Sequence, residues 1–131
     1  MLKANFTTGT EIPANTDLPL TIMENTNRRA RVNNNTVEFL RSGDLYTVNA
    51  ILVANASAAA PVTAQLFRNG TAVPGALATA VPAAVGDAVT LPMQDAFRIV
   101  AALYGDLANI SVRCTAALTP VGGNIIVKFE R

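Results

Sequence analysis

The chain has 131 residues, a formal net charge of +1, and charged side chains at only 15% of its positions. An average domain carries about 25%. This length predicts a single domain over residues 1–131, large enough to bury about 68–70% of its unfolded surface without disulfide bonds. The near-neutral charge argues against nucleic acid as a partner, because nucleic-acid-binding domains usually carry a strongly basic surface. A surface so poor in charge suits a subunit packed into an assembly better than a soluble monomer.

The sequence also argues against a membrane partner. No apolar run approaches the 18 or more residues of a membrane-spanning helix. The stretch from Met1 to Thr8 becomes polar too early for a secretory signal peptide. Cys114 is the single cysteine, so it cannot form an internal disulfide, and we expect synthesis in the cytoplasm.

The residue types predict neither catalysis nor a cofactor. The chain contains no histidine, which removes the usual base for a serine or cysteine nucleophile and the commonest metal ligand. Cys114 falls on an apolar strand face and is expected to be an inert core thiol. Asp44, Asp87 and Asp106 each follow a glycine. Their carboxylates are ligands that calcium accepts, but isolated Gly-Asp pairs are more typical of turns, so no metal site is predicted and calcium stays an open alternative.

Apolar residues alternate at period two along most of the chain, which predicts an all-β fold. Thr36–Leu40, Pro61–Phe67 and Leu107–Ala116 each place apolar side chains on one face and polar ones on the other. Such strands belong to a sheet with one solvated face. The Ala-, Val- and Pro-rich segment from Pro74 to Pro92 is expected to be a loop with one or two short strands.

Three other segments carry apolar residues on both faces: Leu45–Val53, Phe97–Tyr104 and Ile125–Phe129. They predict a second sheet, packed on the first as a β-sandwich, whose outer face needs a cover, most simply another copy of the chain. About six extra apolar side chains at roughly 1.5–3 kcal/mol each give about 9–18 kcal/mol per subunit. Association costs about 4–15 kcal/mol, so the balance allows an oligomer without compelling one. The predicted interface residues are Leu45, Ile51, Val53, Val100, Ala102, Tyr104 and Ile126.

Four short motifs follow one another along the chain: Ser42–Val48 with its glycine, tyrosine and valine, Val62–Gly70 ending in Asn-Gly, Leu103–Leu107 with its Gly-Asp pair, and the closing Ile125–Phe129. In order and spacing they resemble the tumour-necrosis-factor-like and complement-type globular jelly rolls. The first resembles the start of that family's central strand, and the third resembles the step into its next-to-last strand. The resemblance covers most of residues 36–131.

This resemblance implies a ten-strand jelly roll that assembles as a homotrimer, with the sheet of the central and last strands at the three-fold interface. Similar domains occur in the heads of collagen-like spore-surface proteins and in the head fibres and decoration proteins of tailed phages. From these residues we expect no Gly-X-Y collagen stalk, no membrane anchor and no secretion signal. We therefore expect a phage capsid decoration or head-fibre protein, synthesised in the host cytoplasm, located on the virion surface and bound to capsid protein. The alternative is a receptor- or carbohydrate-binding head module of a spore-surface or cell-surface type.

Arg28, Arg29 and Arg31 form the basic cluster of the chain. They are a candidate patch for docking to an acidic capsid surface, a glycan or a phosphate. The alternative is a solvated hairpin, since Asn33–Asn35 follows and predicts a tight turn. No aromatic residues are interleaved with the arginines, so single-stranded nucleic acid is not an expected partner.

The face assignment predicts opposite outcomes for two substitutions. Val100→Asp should leave a folded but dissociated chain, because it places the charge in the proposed interface. Ile110→Asp should unfold the protein, because it buries an unpaired charge. Circular dichroism and light scattering distinguish the two outcomes, and two folded trimers would refute the assignment.

Overall fold

The computed structural model describes residues 1–26, 30–40, 45–98 and 108–130. These residues form ten strands, and none of them is helical. In chain order the strands are β1 Leu2–Phe6, β2 Leu20–Asn25, β3 Ala30–Asn33, β4 Thr36–Phe39, β5 Leu45–Ala56, β6 Val62–Arg68, β7 Thr71–Ala80, β8 Ala88–Arg98, β9 Asn109–Cys114 and β10 Leu118–Glu130. Within the described residues no helix could span a membrane.

The strands form two antiparallel sheets of five strands each. Sheet 1 has the order β2-β1-β10-β5-β8, and sheet 2 has the order β3-β4-β9-β6-β7. The predicted all-β sandwich is therefore confirmed. The three strands predicted to have one solvated face, β4, β6 and β9, lie together in sheet 2, whereas β5 and β10 lie together in sheet 1. The two hydrophobic patterns thus separate the two sheets.

Alternation places one face of each sheet in a shared core. In β5, Tyr46, Val48 and Leu52 are fully buried. In β9, Ile110 and Val112 are buried from the opposite sheet. These are the residues that the period-two pattern assigned to the interior.

The segment from Pro74 to Pro92 is more regular than the predicted loop with one or two short strands. The two predicted strands are present as most of β7 and the beginning of β8, longer than expected, and the loop between them is confined to residues 81–87. Both strands lie at the edges of the described sheets, where a proline is tolerated because its missing N–H can face away from the partner strand. The predicted two-sided strand Phe97–Tyr104 overlaps only the end of β8, which begins at Ala88. Of the predicted strand, Phe97 and Arg98 are described, and residues 99–104 lie outside the described residues.

The N-terminal strands were also missed, although Leu2, Ala4 and Phe6 alternate as buried residues. After β1 the backbone crosses from sheet 1 to sheet 2. Ile12 N donates to the carbonyl of Leu118 in β10 at 2.8 Å. Farther along, Leu18 N donates to the carbonyl of Val112 in β9 at 2.9 Å. These bonds satisfy strand-edge carbonyls and tie the two sheets together.

An aromatic cluster and an ion pair fill one end of the core. The rings of Phe39 and Tyr46 meet edge to face with centroids 4.5 Å apart, and Phe97 lies 5.2 Å from Phe39. Arg68 of β6 donates from Nη2 to Oδ2 of Asp95 in β8 at 2.9 Å. The same guanidinium lies 4.4 Å from the centroid of the Phe97 ring. The pair therefore links the two sheets above the aromatic residues.

The contact between β10 and β5 requires a glycine. Gly123 has φ +104° and pairs with Leu52. A Cβ at this position would lie 2.0 Å from the carbonyl oxygen of Ile51. Any side chain would therefore strain φ and also push the two strands apart.

We expect Gly123→Ala to destabilise the protein more than Gly86→Ala. Gly86 has a similar φ of +88°, but a Cβ there meets nothing within 4 Å. The control should cost about 1–3 kcal/mol for backbone strain alone, and Gly123→Ala should cost more because of the collision. Urea unfolding midpoints measure both values. Equal losses would show that the close approach of the strands is not limiting.

Candidate self-association face

The outer face of sheet 1 consists of the side chains that point away from the core on β1, β10, β5 and β8. Ile51 lies near its centre and is 48% exposed. Its cross-strand neighbours are Asn124 on β10 and Pro92 on β8. One exposed aliphatic side chain is ordinary on a protein surface, so the face is of interest only for the apolar residues that adjoin Ile51.

The structure brings part of the predicted interface onto this face. Ile51, Val53 and Ile126 lie on the neighbouring strands β5 and β10, pointing outward. Leu45 points the same way at the start of β5, opposite Arg98. Val53, Ile126 and Leu45 are half-buried. Val100, Ala102 and Tyr104 lie outside the described residues.

The outer face also contains amides that the sequence analysis did not single out. Asn49 lies between Ile126 and Gln94 in the register, and Asn124 lies next to Ile51. The face therefore combines aliphatic and amide side chains around Ile51 with Lys3 of β1, which pairs with Ile126, and with Lys128 of β10. The alternation of β5 could have identified Asn49 as part of this face, because Asn49 shares the outward positions with Ile51 and Val53.

A groove runs along the β8 edge of this face. We call it the Leu77 groove; its volume is about 390 Å³. Its lining residues come from β5, β8 and β7: Asn49, Ala50, Ile51, Gly75, Leu77, Pro92, Met93 and Gln94. None of the lining residues is charged. Leu77 is 45% exposed and forms the wall that belongs to sheet 2.

The predicted arginine patch is only partly described. Arg28 and Arg29 lie outside the described residues. Arg31 Nε donates to Oε2 of Glu38 at 2.9 Å, and Asn33 Nδ2 donates to Oε1 of the same carboxylate at 2.6 Å. These two hydrogen bonds, the one from Asn33 first, hold the pKa of Glu38 below its usual value. Arg31 therefore has an acidic partner across the β3-β4 hairpin.

Cys114 and Asp87, which were considered for catalysis and for metal binding, have the environments of residues that stabilise the fold. Burial raises the pKa of the Cys114 thiol to about 12, so the thiol stays protonated at neutral pH and is a poor nucleophile. Asp87 Oδ2 accepts a hydrogen bond from Ala84 N at 3.1 Å, as a turn former does. Asp44 and Asp106 lie outside the described residues. In the described ranges, no three His, Cys, Asp or Glu side chains are grouped to hold a metal ion.

The fold is that of the tumour-necrosis-factor-like jelly rolls, and solved structures confirm the resemblance. Murine APRIL at pH 8.5 superposes with a TM-score of 0.70 at 9% identity, over 97% of this chain and 98% of that chain. Eiger TNF from S. frugiperda gives 0.71 at 13% identity, over 96% and 90%. The PRD1 vertex protein P5 gives 0.64 at 13% identity, over 96% and 93%. No protein-family model and no curated protein sequence matches the chain. At these identities the similarity shows the fold.

Adjacent residues of β5 provide a test of the outer face. Ile51→Asp should leave the strand content unchanged, because the side chain is 48% exposed, and exposed substitutions usually change stability by about 0.5 kcal/mol or less. Leu52→Asp should unfold the chain, because Leu52 is fully buried and an unpaired buried charge costs several kcal/mol. Circular dichroism measures the strand content of both variants. An unfolded Ile51→Asp chain would show that the outer face is part of the core.

Proposed function

We propose that this chain is a homotrimeric structural protein of a virion, bound to capsid protein on the outer surface as a decoration or head-fibre protein. The observation that carries the proposal is the outer face of sheet 1, where Ile51 is exposed beside Val53 and Ile126. A second copy of the chain covers this face most economically, since it brings the same apolar surface. The homotrimer that the family resemblance implies would use this sheet.

The similarity to the PRD1 vertex protein P5 supports the virion role. That protein spans nearly the same length in the same fold, which makes a compact structural module of this size a suitable virion component. In the present chain only 15% of the residues are charged. Such a low share is expected for a subunit that contacts other proteins on several sides.

The aromatic residues favour a structural role over the alternative of a carbohydrate-binding head. Recognition sites for ligands use exposed aromatic rings as flat contact surfaces. In the described ranges Phe6, Phe39, Tyr46 and Phe97 are buried. Phe67 and Phe129 are half-buried, and the guanidinium of Arg113 covers the Phe67 ring at 4.6 Å from its centroid.

Light scattering during size exclusion tests the trimer. We expect a species of three times the 13.7 kDa chain mass that persists on dilution. Ile51→Asp should shift the mass to a single chain, because a trimer would bury the new carboxylate, without a partner charge, against a neighbouring copy. A single-chain mass for the unsubstituted protein would contradict the proposal.

The location is tested on purified particles. We expect mass spectrometry to find the chain in density-purified virions, and we expect an antibody to label intact particles from outside. Absence from the particles would refute the virion role even for a trimeric chain. Labelling of a spore or cell surface instead would favour the binding-head alternative.

A further inference from the structure

A closed ring of identical chains requires a contact between two different patches, one on each side of the interface. Sheet 1 carries apolar surface at both of its edges. One patch lies on β2 and the other is the Leu77 groove beside β8. Four strand spacings of about 4.8 Å separate these edges, roughly 19 Å in all. They are therefore separate surfaces that two neighbouring copies can bring together.

The patch on β2 is a projecting methionine. Lys3 pairs with Glu24 and Ala4 pairs with Ile22, so Met23 is the extra residue of a β-bulge. A bulge redirects a side chain away from the regular alternation of the strand. Met23 is 58% exposed and Ile22 is 47% exposed. Among the described strands β2 pairs only with β1, so within these residues it is an edge strand. Its apolar side chains are of a kind that proteins normally protect from unspecific pairing.

The groove has the complementary properties. Ile51, Leu77 and Pro92 give it apolar walls, and Gly75 contributes no side chain to fill it. The amides of Asn49 and Gln94 are also among the lining residues. They can donate to and accept from the backbone groups of an approaching edge strand. The uncharged groove of about 390 Å³ is larger than one side chain, so it can take a methionine, which adapts well to irregular spaces, together with a neighbouring residue of the same strand.

We propose that Met23 of one copy inserts into the Leu77 groove of the next copy, so that the contact repeats around the ring. This inference rests on the proposed homotrimer and specifies the surfaces that form it. The same contact covers the β2 edge of one copy and the exposed Ile51 of its neighbour. An isologous dimer could make the same contact twice, with Met23 of each copy in the groove of the other, but it would contain two chains where the ring contains three.

Cross-linking tests the contact in the full chain. In the double variant Met23→Cys/Leu77→Cys, a short bis-maleimide should join residue 23 of one copy to residue 77 of the next. This reagent tolerates a longer separation than a disulfide, whose Cα atoms must lie within about 7 Å. We expect most of the protein to run as a three-chain product on a denaturing gel. Cys114 stays in place because its thiol is buried and protonated, and unsubstituted protein should give no product.

The matched control is Met23→Cys/Val85→Cys, because Val85 is 67% exposed but lies outside the groove. This control should give no three-chain product. If the Leu77 double variant keeps a three-chain mass in solution but does not cross-link, the inference is wrong and the proposed trimer stands. A two-chain product from Leu77→Cys alone would overturn it in favour of groove-to-groove contact. A single-chain mass for the unsubstituted protein would overturn the proposed trimer as well.

Discussion

The close approach of β10 to β5 at Gly123 is the contact on which the rest of sheet 1 depends. β10 pairs with β1 on its other side, and its first residue, Leu118, accepts the hydrogen bond that holds the crossing segment at Ile12. A strand displaced at Gly123 would therefore disturb both neighbours. The register shifts between Pro120 and Gly122, so the glycines absorb the irregularity that lets the remainder of β10 pair regularly.

The same register decides which residues face outward. A slip of one residue in the β10-β5 pairing would exchange the core face and the outer face along the whole strand. Ile125 and Val127 would then be exposed, and Asn124 and Ile126 would enter the core. The buried set is much more apolar than the outward set, so the core fixes the register, and the position of Ile51 on the outer face follows from it.

The sequence predicted much of this sandwich because β4, β6 and β9 alternate cleanly. It failed where the alternation involves small or unusual residues. In β8, Val89, Leu91 and Met93 are buried, but Pro92 between them read as a break, and Asp95 interrupted the pattern. Asp95 is tolerated on the core side because Arg68 reaches it from the other sheet at 2.9 Å, a contact that only the packed sandwich can reveal.

The outer face of sheet 1 was predictable in part, because the alternation within a single strand shows which residues share a side. Period two assigns Ile51 and Val53 to one side of β5, but it says nothing about what flanks them across the sheet. The amide neighbours Asn124 and Gln94 come from strands far away in sequence, and the Leu77 groove needs β7 of sheet 2 to complete it. Surfaces assembled from both sheets depend on register and sandwich closure, which local patterns do not encode.

The outer faces of the two sheets differ in a way that identifies the one suited to a partner. On sheet 2, Arg113 Nε donates to Asp17 Oδ1 at 2.6 Å, and Arg31 pairs with Glu38 at 2.9 Å. Such ion pairs keep their solvation at the surface and contribute little to stability, so burying them against another chain would cost desolvation free energy. The centre of the sheet 1 face carries Ile51, amides and an uncharged groove instead. Ile51 and the groove can be covered without burying a charge, although Lys3 and Lys128 lie on the same face, and this difference favours sheet 1 for the proposed association.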